Sequence, residues 1–240
     1  MRSAAMAAAV LGACATLAGC SVVPAADAPA PRVAEVVKPS PNRTLDRALP
    51  TAEELTATLG ATGFMGQLVE GGADVLLQGV QEAEATPVDC VSTGYRLEKV
   101  VYQASPVRSV ASQSWAGGDV NGPTATGFFG VVEFIDADAA GEFFAASADK
   151  WHRCNGQTLV LHQHDRGAQG SSRITDVGLD NRIVFAVVMQ DAGSTIQRAL
   201  GVAGDCIVDV EIADVAGPSD SGAQDAAAVA NLMLQKIGYS

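Results

Sequence analysis

After Cys90 the apolar residues recur mainly at every second position, and from residue 137 to 153 the period lengthens to three and four. That switch limits the chain to an architecture of strands interrupted by helix. Within the interval, Ala140, Phe143, Phe144, Ser147 and Trp151 make one apolar stripe, Asp136 caps its start and Gly156 ends it. Before it, residues 99–104, 107–115 and 126–135 read as strands; after it, 157–164, 171–177, 183–189 and 206–212 do. Residues 183–189 are almost wholly apolar and predict a central strand covered on both faces. In 206–212, alternation turns Cys206, Val208, Val210 and Ile212 inward and Asp209 and Glu211 outward. A short helix is expected at 195–200, and the glycine-rich stretch 63–79 reads as loop with one helical turn.

Helices close both ends. Thr51 and Glu54 have the spacing of a capping box, Leu55 and Leu59 follow on one face, and Gly60 stops the helix. Ala226, Val229, Ala230, Met233, Leu234 and Ile237 form a second stripe that ends at Gly238. The order helix, strands, helix, strands, helix predicts an α+β fold: a single domain at 45–240, with a mainly antiparallel sheet packed by helices.

Ahead of this domain, Arg2 is followed by an apolar run and then by Leu17-Ala18-Gly19-Cys20. A basic start, a short apolar middle and small residues at the end are the parts of a secretory signal, expected at residues 1–19. The Leu-Ala-Gly-Cys run resembles the lipobox of bacterial lipoproteins. That resemblance implies cleavage before Cys20 and acylation of its thiol, anchoring the chain to the outer side of the cell membrane. The apolar run is too short to span a bilayer. Residues 20–44, with Pro24, Pro29, Pro31, Pro39 and Pro41, read as an extended tether. The net charge of −12 opposes nucleic-acid binding, and no nucleic-acid partner is expected. Three cysteines remain for the exported domain, Cys90, Cys154 and Cys206. An oxidising compartment permits one disulfide among them, in any of three pairings.

Four stretches resemble the PknH-like extracellular sensor domain, which actinobacterial lipoproteins also carry. They are the opening helix from Leu49 to Gly60, the helix ending in Trp151-His152-Arg153-Cys154, the segment from Gln197 through Val210, and the terminal helix from Ala226 to Ile237. The resemblance implies an α+β domain with a cleft for an envelope ligand, and a disulfide between Cys90 and Cys154. The family's second disulfide needs a cysteine where this chain has Ile196, so Cys206 is expected as a buried thiol.

Other candidate sites have simpler readings. His162 and His164 have a spacing used by zinc sites, with His152 the remaining histidine. Strand alternation already accounts for the pair as the solvated face opposite Leu159 and Leu161, and no metal or other cofactor is assigned. Asp119 and Asn121 suit a turn as well as a calcium ion. Trp151 reads as core; Trp115, beside a glycine-rich turn, is the better of the two candidates for an exposed contact, though core is the preferred reading there as well. No nucleophile elbow, phosphate loop or dinucleotide fingerprint is present, so an enzyme is not expected. The expected function is a membrane-anchored envelope lipoprotein whose domain binds an unidentified envelope ligand. The alternative is a protein-interaction module that regulates an envelope partner.

Overall fold

The computed structural model describes residues 44–119, 122–163, 168–191, 193–214 and 222–238. Cys20, the signal segment, residues 20–43 of the tether, Asn121 and His164 lie outside them, as does the side chain of Asp119. The first half contains α1 (Ala52–Leu59), β1 (Gly63–Met65), β2 (Val69–Gly71), β3 (Ala85–Thr86), α2 (Val91–Gly94) and α3 (Lys99–Tyr102). It continues through the long hairpin β4 (Val107–Asp119) and β5 (Gly122–Phe134) to α4 (Ala137–Cys154). The second half is a meander, β6 (Thr158–Gln163), β7 (Ala168–Asp180), β8 (Ile183–Gln190), β9 (Thr195–Ala203) and β10 (Cys206–Asp214), closed by α5 (Gln224–Gly238).

The strands form one antiparallel sheet in the order β1-β4-β5-β10-β9-β8-β7-β6-β3, with β2 also on β4. α4 carries the chain from β5 to the far side of the sheet, and the meander returns until β10 pairs with β5. Helices cover both faces. α2, α3 and α4 pack over Val132, Phe134, Ile174, Val184, Leu200 and Ile207. α1 and α5 pack over Trp115, Phe129, Val131, Ala199, Val208 and Val210. The mixed helix and antiparallel sheet matches the expected fold class.

The helix ends form as their residues dictate. Asp136 accepts a hydrogen bond from the Ala139 amide at 2.8 Å. Thr51 and Glu54 complete the capping box, and Glu54 also receives Lys236 Nζ of α5 at 2.7 Å. Cys90 and Cys154 are joined in a disulfide, and Cys206 lies buried on β10 outside it.

Four sequence expectations are corrected. Residues 99–104 contain the helical turn α3 rather than a strand; a six-residue window fits either period, and burial of Tyr102 decides it. Residues 195–200 belong to strand β9, not a helix, because β9 sits between β8 and β10 with both faces covered. Asp209 and Glu211 face the α2–α3 layer and are buried rather than solvated. The stretch 63–79 supplies β1 and β2, laid end to end along the edge of β4, and holds its one helical turn at Ala73–Val75.

Trp115 is core, the preferred of its two readings. Gly63 and Gly117 face each other across β1 and β4, and a Cβ on either would overlap the Trp115 indole. These glycines serve close packing.

Candidate functional site

A cleft of about 540 Å3 opens between α4 and the 88–106 segment. One wall is the α4 stripe Ala139, Glu142, Phe143, Ala146 and Lys150, whose spacing of three and four sets it beside the core-facing stripe. The other is built from Val88, Asp89, Val91 and Ser92 around α2, and from Val100 to Pro106 around α3. The disulfide ties the start of α2 to the end of α4, at one end of both walls.

Beneath the cleft lies a buried polar network. Arg198 is fully buried on β9 and meets Asp209 of β10, Nη2 to Oδ1, at 2.8 Å. The same guanidinium donates to the carbonyls of Ser92, Thr93 and Val210. Asp209 Oδ2 accepts from the Leu97 amide at 2.8 Å and the Tyr102 hydroxyl at 3.1 Å. Burial, reinforced by the Asp209 charge, pushes the Tyr102 hydroxyl well above its ordinary pKa, so it stays a proton donor. Tyr102 stacks on Phe143 of the cleft wall, ring centroids 4.8 Å apart. Trp151, buried at the end of α4, donates from Nε1 to Ser92 Oγ at 3.2 Å. Both walls are therefore held by side chains that converge on one ion pair. Glu211 is buried beside it and pairs with Arg96 at 2.6 Å, while Arg96 also lies over the Phe128 ring.

The lining favours a neutral or cationic ligand. Glu82, Asp89 and Glu142 face the cleft against Lys150, which already lies 3.3 Å from Asp89. The hydroxyls available there, Ser92, Ser105 and Ser147, have no histidine among the lining residues to act as a base. Among the described residues no three His, Cys, Asp or Glu side chains converge as a metal-binding group. His162 lies on β6 and His152 near the end of α4.

Glu98 staples the rim beside the cleft, where its Oε2 accepts the Gly79 amide at 3.0 Å and the Val80 amide at 3.1 Å. Burial pushes its carboxyl above the ordinary value of 4.5, with these two hydrogen bonds and Arg96 opposing the rise. The folded state thus holds this proton more tightly than the unfolded chain. Its stabilising contribution is complete below 4.5 and is lost as pH rises through the higher folded value. Glu98→Gln keeps an acceptor and removes the titration. Urea denaturation of both proteins from pH 4 to 8 should show the variant gaining on the parent as pH rises; a constant difference would refute the sign.

Trp151 carries its core position in the α4 stripe, and the Cys90–Cys154 pairing follows from the family resemblance, whereas Arg198, Asp209, Tyr102 and Glu211 come together as one cluster only in the fold. A signal was present. The β9–β10 hairpin pairs Ala203 with Cys206, which sets Arg198 opposite Glu211 and diagonal to Asp209.

The family profile of the PknH-like extracellular domain matches residues 40–236. Among solved structures, the extracellular domain of PknH from Mycobacterium tuberculosis superposes with a TM-score of 0.70 at 21% identity, covering 85% of this chain and 99% of that one. An uncharacterised protein from Mycobacterium smegmatis gives a TM-score of 0.42 at 12% identity, covering 82% of this chain and 97% of that one. No curated protein sequence matches.

Proposed function

Since this chain belongs to the PknH-like extracellular domain family, we propose that it is a lipid-anchored, sensor-type envelope protein that holds a small neutral or cationic ligand in the cleft between α4 and the 88–106 segment. The observation that carries this reading is the construction of the cleft. Its volume of about 540 Å3 falls in the range of small-molecule sites, and its lining sets the apolar Val88, Val100, Val101 and Phe143 beside acidic, hydroxyl and amide groups. The walls are fixed beforehand by the disulfide and by the Arg198–Asp209 network, so little ordering is needed on binding. Domain organisation follows the sequence: signal at 1–19, acylated Cys20 and tether to 44, sensor-type domain from 45. Acylation at Cys20 rests on Leu17-Ala18-Gly19-Cys20. Two or more acyl chains anchor a protein stably.

A thermal-shift screen of the full chain against neutral and cationic fractions of envelope extract tests the cleft. A ligand present at a hundredfold its dissociation constant adds about 2.7 kcal/mol. Ala146→Trp, on the open wall, should abolish that shift without lowering the unliganded melting temperature; a shift that survives it would remove the ligand from the cleft. Cys20→Ser should move the protein from washed membranes to the soluble fraction, and retention would refute the anchor.

A protein-partner reading is favoured by one feature. Phe64 on edge strand β1 is 86% exposed. Crosslinking on intact cells that depends on Phe64, together with a flat small-molecule screen, would move the assignment there.

A further inference from the structure

On the opposite face of the sheet a second cavity, about 690 Å3, lies between α5 and the β7–β8 hairpin. Its apolar side is the half-buried Phe185 ring with Ala227 and Leu234. Asp176, Asp180, Asn181 and Arg182 from the hairpin, and Gln224 and Asn231 from α5, surround that ring. Asp176 accepts a hydrogen bond from the Thr175 hydroxyl. Among the described residues the other five polar side chains make no hydrogen bond or ion pair.

The hairpin is shaped to present this set. The β7–β8 register runs from Thr175↔Val187 to Gly178↔Phe185, so two residues of β7 stand opposite one of β8. Asp176 occupies that bulge at φ 52°, in the left-handed region. Bulges re-aim side chains, and a non-glycine residue held at positive φ within a strand is a costly way to place one.

The charge balance selects the ligand class. Two carboxylates against one guanidinium leave no cationic surplus for an anion. The amides of Asp225 and Ala226 in the first turn of α5 already donate to Gln197 Oε1. A lipid chain would strand the ring of polar groups without partners. Carboxylates and amide oxygens accept from hydroxyls, while amide and guanidinium N–H groups donate to them. An aromatic ring supplies an apolar platform beside them. We infer that the α5 cavity binds a neutral, hydroxyl-rich saccharide, with its ring over Phe185 and its hydroxyls on Asp176 and Asn231. This site is separate from the α4 cleft and does not depend on the ligand proposed there.

Saturation-transfer NMR on the full chain in a sugar-free detergent tests it. The probes are cellotriose, maltotriose and mannotriose, each paired with a uronic-acid trisaccharide. At least one neutral trisaccharide should bind and its acidic counterpart bind more weakly. Asp176→Ala with Asn231→Ala should weaken binding about tenfold or more, the scale of two lost hydrogen bonds. Ala228→Trp, at the exposed mouth on α5, should block it, and Ala146→Trp in the other cleft should leave it unchanged. A flat neutral panel with a folded protein would overturn the inference. So would stronger binding of the acidic sugars, or binding untouched by both the double alanine and the tryptophan variants.

Discussion

Replacing Arg198 with methionine should destabilise the domain by about 3–5 kcal/mol, a large share of the ~5–15 kcal/mol that holds a typical domain folded. The cost arises because the side chain and its partner are both out of water. Asp209 is 2% exposed and Arg198 fully buried, so removing the guanidinium leaves a carboxylate that water cannot reach. The carbonyls of Ser92 and Thr93 lose their donors in the same step, and α2 loses its tie to the sheet. Adding Asp209→Asn to the variant should recover part of the loss, since the buried charge is gone and the Leu97 amide and Tyr102 hydroxyl keep an oxygen to donate to. Urea denaturation of the two single variants and the double variant measures this coupling. A loss below about 1 kcal/mol for Arg198→Met would mean that water replaces the guanidinium, and the pair would then not be the anchor of the cleft.

Loss of the Cys90–Cys154 bond should cost about 4 kcal/mol, from the loop-closure entropy of a 64-residue separation. The double variant Cys90→Ala/Cys154→Ala should show this in urea, and reductant should lower the parent's melting temperature but not the variant's. The bond has a local effect as well. It joins α2 to the end of α4, so its removal should weaken any ligand of the α4 cleft more than a saccharide in the α5 cavity, whose lining residues lie elsewhere. Equal weakening at both sites would point to general unfolding. Intact-mass measurement should add two hydrogens to the domain on reduction; no change would refute the pairing.

Much of this architecture is legible in the chain. Helix α4 could be read because eighteen residues hold one period long enough to exclude the other. α1 and α5 could be read from a capping box and a six-residue apolar stripe. Windows of six residues were not decisive. Residues 99–104 and 195–200 satisfy strand and helix templates alike, and their outcome came from neighbours far along the chain: Asp209 for Tyr102, and β8 and β10 for β9. The α4 cleft was not legible either, because its walls come from residues 88–106 and 139–150 and only packing brings them together.

The sequence by itself determined the bounds of helices α1, α4 and α5 to within a residue or so, the place of most strands in a mainly antiparallel sheet, and which residues match a signal and lipobox pattern. Those properties depend on local periodicity, caps and turn residues, which each segment carries within itself. Tertiary structure alone decided which faces are covered. A strand that alternates Val208, Asp209, Val210 and Glu211 reads as half solvated, yet α2 and α3 lie over its polar face. Burying those carboxylates is tolerable only because Arg198 and Arg96 arrive with them. That arrangement depends on partners at sequence separations of 11 and 115; the β9–β10 hairpin register points to the first, and no local pattern encodes the second.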